Sequence, residues 1–378
     1  MEKESREKNF FYVFTIYFVV LLLFVLVRIA SGLGWFSKLP NDIAIDAVST
    51  AIIQIGIMFL VPFFMYMALF HKNPKQLFVD FGYKKIGFKA VLVCIGLGVL
   101  GFVINIYVSS FFSILLNFAG YNYPATSSES AYSTFPKFLF GVLSTAIMPA
   151  ICEEFLHRGL LLRGSRRSYG YKFAIVTSSI CFGLMHLNIQ QFFFATVLGL
   201  LMAVVDLVAD SIYPSMIMHF CNNFFNVLLS YLSASGISKF SLSGILNGIY
   251  STNIFLFFAL ALAVLVLCVW GFYALTKQLH KVSAQKQNEK KVVVTQDVAP
   301  ADLYPMQNVE PQANANVLSE SQAEKKPRIK NVNDWFSYYI GKDDSKKLDI
   351  PLQYKIPYIC CLFMAIMVTS FTFIWGVV

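Results

Sequence analysis

Three short stretches of this 378-residue chain carry ionisable or amide side chains within otherwise apolar sequence. The first reads EEFLHR and ends at Arg158, the second reads FGLMH and ends at His186, and the third reads HFCNN, from His219 to Asn223. A charged side chain at the centre of a membrane span costs about 2.5–3.5 kcal/mol, and such residues usually face a polar cavity with a partner. These stretches therefore hold the candidates for chemistry.

Helical spacing predicts which of these side chains act together. Glu154 and Arg158 are four residues apart, so they share a helix face and can pair. Glu153 points about 100° away from Glu154 and remains the free carboxylate, able to serve as a general base. His219 and Asn223 are also four apart, and their N–H groups can both donate to an oxygen that gains negative charge, as an oxyanion hole requires.

The distance of each group from a turn predicts its depth. The turn between the first two stretches is centred near Tyr169 and Gly170; Glu153 lies 16 residues before Tyr169, and His186 lies 16 residues after Gly170. If both arms are helical, each group is about 24 Å from the turn. An antiparallel hairpin would then hold a carboxylate and an imidazole at one level, around a shared water. With the amide-bearing face, these are the groups needed for attack of water on a carbonyl carbon.

The elements that must position these groups are membrane spans. The chain is 57% hydrophobic and only 13% charged, whereas a soluble domain carries about 25% charged residues. A span needs about 20 mostly apolar residues. We therefore predict an all-α fold, a polytopic transmembrane helical bundle of about eight core spans plus one C-terminal span. The predicted spans are residues 10–34, 44–70, 88–118, 138–165, 172–187, 191–208, 213–232, 253–275 and 357–378.

Composition divides the chain into three parts. We predict a transmembrane helical domain at 1–276, a cytoplasmic and largely disordered tail at 277–356, and an additional span at 357–378. The tail is a possible site for a protein partner. Lys and Arg are concentrated in the N-terminus and in alternate loops, which places the N-terminus in the cytoplasm. Because the basic residues lie between apolar runs, and not on one face, no nucleic acid is expected to bind.

Two other patterns are not functional motifs. Gly96, Gly98 and Gly101 spell GxGxxG inside an apolar span, where small residues favour close helix packing and not dinucleotide binding. The seven cysteines include no CxxC pair, which argues against a disulfide framework and against a thiolate zinc site. Asp206 and Asp210 match none of the three stretches, and we expect them to be solvated at the membrane interface.

The three stretches resemble a known family in their order and spacing. Glu153, Glu154 and Arg158 match an EExxxR motif, Phe182 and His186 match FxxxH, and His219 and Asn223 match HxxxN. Three such motifs on separate spans are similar to the CPBP family of intramembrane proteases, which includes CAAX prenyl endopeptidases and bacteriocin-processing and immunity proteins. The resemblance covers about residues 138–230.

This resemblance implies a membrane-embedded endopeptidase that hydrolyses a hydrophobic, prenylated (CAAX-type) or signal-like peptide in the bilayer. Its implied roles agree with the helical spacing: Glu153 and His186 activate a water, and Glu154 with Arg158 holds the helix in register. His219 and Asn223 would stabilise the oxyanion. We expect an integral multi-pass protein of a bacterial plasma membrane.

Three alternatives stay open. Glu153, His186 and His219 could instead ligate a catalytic zinc, since two imidazoles and one carboxylate form such a ligand set. The chain has no HExxH motif, and zinc would compete with the oxyanion role of His219, so we favour a mechanism that requires no cofactor. Buried Glu and His also occur in proton-coupled transporters, and a relative that has lost turnover could serve as a non-catalytic immunity or scaffold protein.

Overall fold

All regular secondary structure is helical over the residues that a computed structural model describes, which are 2–37, 39–121, 132–235, 253–296, 337 and 350–377. No strand occurs among them, so the predicted all-α bundle is confirmed. The helices are α1 Glu2–Gly32, α2 42–70, α3 Pro74–Asp80, α4 Phe88–Phe118, α5 135–169, α6 171–185, α7 Ile189–Ala209, α8 Tyr213–Ala234, α9 Ile254–Gln296 and α10 Leu352–Val377.

Asparagine side chains begin three of these helices. Asn41 accepts a hydrogen bond from a backbone N–H of α2, and Asn188 does the same for α7. At α3, Asn73 and Gln76 form a reciprocal capping box with Pro74 between them. Each cap satisfies backbone donors that a helix start leaves without a partner.

Seven helices of the described chain are long and apolar enough to cross a membrane, which makes the protein an integral multi-pass membrane protein. The sequence predicted nine spans. Phe135–Met185 counts once among the seven although it contains both the fourth and the fifth predicted span. The seventh predicted span is present as α8, and its His219 and three asparagines lower its hydropathy.

Gly170 separates α5 from α6. Its φ of 82° and ψ of −174° interrupt the helical backbone, and a residue with a side chain rarely adopts this conformation. The chain therefore reverses at the position that the sequence predicted for the turn. The two arms pack side by side as a hairpin.

Three stretches of π-helix interrupt the α-helices. Ala51–Leu60 lies in α2, and Val142–Ile147 and Phe155–Leu162 lie in α5. A π-helical turn inserts one extra residue per turn, is rare, and often occurs at functional sites. Each of the three stretches contains a residue in contact with a predicted site residue: Gln54 with Glu153, Thr145 with Asn223, and Arg158 with Glu154.

Small residues allow α4 and α8 to approach closely. A Cβ added to Gly98 would lie 2.7 Å from the Cβ of Cys221 and 3.4 Å from the backbone of Met218. The packing interpretation of the GxGxxG pattern is therefore confirmed.

Three basic segments meet at one end of the bundle. Arg6 Nη2 at the start of α1 donates to the backbone carbonyl of Ser168 at 2.7 Å, and Arg167 Nη2 lies 3.0 Å from the Asp80 carboxylate. The N-terminus, the loop after α2 and the α5–α6 turn thus share one side, as the predicted orientation requires. That this side is cytoplasmic stays a prediction.

Asp206, within α7, and Asp210, just after its end, differ in their exposure to solvent. Asp206 is fully buried and accepts hydrogen bonds from the Ser215 backbone N–H and hydroxyl, both at 2.9 Å. The prediction that Asp206 is solvated at the interface is therefore wrong, because the start of α8 supplies its partners. Asp210 is 27% exposed and pairs with Lys84 at 2.6 Å.

The C-terminal part begins with an extended helix. α9 continues to Gln296, so residues 277–296 of the predicted tail are helical. Most of the remaining tail, 297–336 and 338–349, lies outside the described residues. The additional span is present as α10, which packs along α1, with Cys361 Sγ 3.7 Å from the backbone carbonyl of Phe14.

Candidate functional site

The side chains of the three stretches meet at one cavity of about 550 Å³ between α4, α5, α6, α7 and α8. Its lining includes Glu153, His186, His219 and Asn223. The expected convergence of these three helices is therefore present in the structure. The two other predicted residues, Glu154 and Arg158, lie behind this lining and are fully buried.

The Glu153 side chain reaches the cavity, and its two carboxylate oxygens have different surroundings. Oε1 accepts a hydrogen bond from Gln54 Nε2 of α2 at 2.9 Å. Oε2 lies 4.0 Å from His219 Nε2, and the Glu153 side chain is 14% exposed. A water molecule that reaches the cavity can thus approach Oε2.

Glu154 connects two of the predicted motifs. One oxygen lies 3.1 Å from Arg158 Nε, which confirms the predicted pair, and the other lies 2.8 Å from His219 Nδ1. The contact with His219 was not predicted. Because the Glu154 carboxylate accepts a hydrogen bond from Nδ1–H, it fixes the orientation of the His219 ring and turns its Nε2 towards Glu153.

Arg158 ties α5 to the two helices that follow it. Its Nη2 donates to the backbone carbonyl of Gly199 in α7 at 3.1 Å. Its guanidinium lies 4.5 Å from the ring centroid of Phe182 in α6, a cation–π contact that gains strength in a site without water. The contacts fit the role in helix register that the resemblance implied.

His186 is oriented by the backbone of its own helix. Its Nδ1 lies 2.9 Å from the Phe182 carbonyl, four residues earlier. With Nδ1–H donated there, Nε2 carries the lone pair that can face the cavity. The Phe182 ring stands almost perpendicular to both imidazoles, with centroids 5.2 Å from His186 and 5.5 Å from His219. It packs against both rings.

Asn223 ends a chain of carboxamides. Asn105 of α4 donates to Asn222, Asn222 donates to Asn223 Oδ1, and Asn223 Nδ2 donates to the backbone carbonyl of Thr145 at 2.8 Å. The Thr145 carbonyl belongs to a π-helical stretch. A carboxamide has two N–H bonds, so one N–H of Asn223 remains to donate into the cavity.

Sequence reasoning missed Gln54 and Asn105, and it placed Asn222 in the third stretch without giving it a role. Each is a polar residue within an apolar helix, and its cost in lipid is the feature that could have drawn attention to it. His157, which matches no motif position, is fully buried; its Nδ1 lies 2.8 Å from the Glu153 carbonyl, and its ring packs on Tyr17 and Phe182. We assign His157 to packing.

A second cavity, of about 710 Å³, adjoins the first. Glu153 and His186 line both, and the second cavity is otherwise bounded by residues of α1, α2, α10 and the α6–α7 connection. Gln54 and Arg28 are among its polar residues. Glu153 and His186 thus lie where the two cavities meet.

The three candidate zinc ligands are not arranged as a metal site. Ligands of one tetrahedral zinc lie about 3.3 Å apart when each bond is near 2.0 Å, whereas Glu153 Oε2 and His219 Nε2 are 4.0 Å apart. Within the described part of the chain, no three His, Cys, Asp or Glu side chains are grouped so that they could hold a metal ion.

Residues 135–225, about a quarter of the chain, match the family model described as type II CAAX prenyl endopeptidase Rce1-like. No curated protein and no solved structure was found to match the chain. The matched segment runs from the start of α5 into α8 and contains all six predicted site residues. This match agrees with the resemblance of the three motifs to CPBP and CAAX membrane proteases.

Proposed function

We propose that the protein is an intramembrane endopeptidase that hydrolyses a peptide bond with a water activated by Glu153 and His186. The observation that carries the proposal is the convergence of Glu153, His186, His219 and Asn223 on one cavity. It is supported by the protease family of the matched segment.

In the proposed mechanism, a water lies between Glu153 Oε2 and His186 Nε2. Oε2 accepts one proton while the water oxygen attacks the carbonyl carbon of the scissile bond. Glu153 then delivers that proton to the amide nitrogen as the carbon–nitrogen bond breaks. The products are a new carboxyl terminus and a new amine, and Glu153 returns to its starting state.

The oxyanion receives hydrogen bonds from α8. Asn223 supplies its remaining N–H. His219 supplies its Nε2–H, and the Glu154 carboxylate, 2.8 Å from Nδ1, holds the ring in place. Donors fixed in place before reaction stabilise developing charge most effectively where water is excluded.

The substrate class follows from the surroundings of the site. The cavity lies among membrane-spanning helices, so chains that partition into the bilayer reach it most readily. A hydrophobic, prenylated or signal-like peptide has this property, and the description of the matched family favours a CAAX-type prenylated peptide.

The test is cleavage by the purified protein in liposomes, with prenylated, unprenylated and signal-like peptides and detection of products by mass spectrometry. Wild type should cleave at least one lipid-partitioning class. Glu153→Gln keeps the shape of the side chain and removes the base, so it should lower kcat by at least about 10³-fold. Glu4→Gln is the matched control, because Glu4 is 61% exposed and pairs with Lys8 on the surface of α1.

Two results would count against the proposal. Folded wild type that cleaves no peptide of the panel would favour a non-catalytic scaffold. Retained cleavage in Glu153→Gln would show that another group activates the water.

A further inference from the structure

Gln54 is a polar side chain within the second apolar span, outside the matched segment. It is only 8% exposed, and its Nε2 donates to Glu153 Oε1 at 2.9 Å. The two residues are 99 positions apart in sequence. Gln54 sits in the π-helical stretch Ala51–Leu60, and it borders the second cavity beside Glu153.

From this contact we infer that Gln54 is a positioning residue for the Glu153 carboxylate. By holding Oε1, it prevents rotation of the carboxylate and directs Oε2 towards His219 and the water. Oε2 is thereby selected as the proton acceptor. This inference rests on the proposed function of Glu153.

The burial of Gln54 supports a specific role. A carboxamide without its partners costs roughly 1–3 kcal/mol when buried in a protein, and Gln54 Oε1 has no hydrogen-bond partner among the described residues. An apolar residue would avoid that cost while packing in the same span. Among the described residues, Gln54 makes its hydrogen bond to Glu153, and orientation of this base accounts for a buried carboxamide at position 54.

Gln54→Met keeps the length of the side chain and removes the donor. Loss of one hydrogen bond to a charged group should lower kcat by about 10- to 100-fold, with KM close to the wild-type value. A purely structural role would not produce this separation of kcat from KM in folded protein. Thr50→Val is the matched control: it removes a hydroxyl one turn earlier in the same helix, and Thr50 lines neither of the two cavities that Glu153 lines.

A second measurement does not depend on turnover. The infrared difference between wild type and Glu153→Gln isolates the carboxylate stretch of Glu153. The same difference taken in the Gln54→Met background should show this band at a different frequency, because its hydrogen bond has been removed. If Gln54→Met does not fold, Gln54→Glu preserves length and polarity and should also lower kcat, because an ionised carboxylate has no N–H or O–H to donate to Glu153.

The outcomes separate the two proposals. An unchanged carboxylate band in Gln54→Met overturns the positioning role, whatever the activity. Wild-type kcat in folded Gln54→Met also overturns it while leaving the protease function intact. If wild type cleaves nothing, the proposed function fails, and a shifted band would still establish the contact between Gln54 and Glu153.

Discussion

Replacing Arg158 with Met should destabilise the protein strongly, because it removes one member of a buried ion pair. The side chains of Arg158 and Glu154 are both 0% exposed, and their charged groups lie 3.1 Å apart. Met fills much of the same volume, so the main effect is electrostatic. The Glu154 carboxylate would lose Arg158 and keep its contact with His219, and the Gly199 carbonyl would lose the hydrogen bond from Arg158.

The expected loss is about 3–5 kcal/mol in the free energy of unfolding, the usual cost of leaving a buried charge without its counter-ion. The double variant Glu154→Gln/Arg158→Met removes both charges, and it should be more stable than Arg158→Met alone. Reversible unfolding by SDS in mixed micelles, followed by circular dichroism, measures these free energies.

Lys8→Met is the matched control, since it breaks an ion pair of the same four-residue helical spacing. Lys8 and Glu4 lie 2.7 Å apart with side chains 52% and 61% exposed, so water screens the pair and little stability should be lost. An Arg158→Met variant within about 1 kcal/mol of wild type would refute the assignment of a buried, structurally essential pair.

Three further predictions concern the oxyanion, helix packing and metal. Asn223→Ala should lower kcat by about 10²–10³-fold with little change in KM, measured by steady-state cleavage; equal kcat would remove Asn223 from the oxyanion hole. Gly98→Ala should cost about 1–3 kcal/mol of unfolding free energy, because the new Cβ meets Cys221; Gly32→Ala, with no neighbour within 4 Å, is its control for packing. Treatment with a strong zinc chelator should leave cleavage unchanged; loss of activity that added zinc restores would favour the zinc-dependent alternative.

The α5–α6 hairpin could be predicted because its determinants are local. The length of the apolar runs predicts the two helices, and Gly170 predicts the turn between them. Counting 16 residues along each helix places Glu153 and His186 at one depth. The Glu154–Arg158 pair follows from helical spacing in the same way.

The lateral arrangement of the helices could not be predicted, since it depends on packing between distant segments. Gln54 and Glu153 are 99 residues apart, and Asn105 and Asn222 are 117 apart. No local pattern assigns α2 or α4 to a particular side of the site. The contact between Glu154 and His219, 65 residues apart, was missed for the same reason.

Composition was also insufficient to place the end of α9 and the partners of Asp206. Residues 277–296 lack the apolar content of a span, yet they continue α9 as its last turns. Asp206 resembled an interfacial carboxylate in sequence, but Ser215 of the next helix supplies hydrogen bonds that allow it to be buried.

The most direct test of the central claim is an experimental structure with a hydrophobic peptide whose scissile amide is replaced by a phosphonate. This tetrahedral group stands in for the carbonyl carbon after water has attacked. We predict one phosphonate oxygen within about 3 Å of His219 Nε2 and Asn223 Nδ2, and another beside Glu153 Oε2 and His186. A phosphonate bound away from these four side chains, or Glu153 turned away from it, would contradict hydrolysis at this cavity.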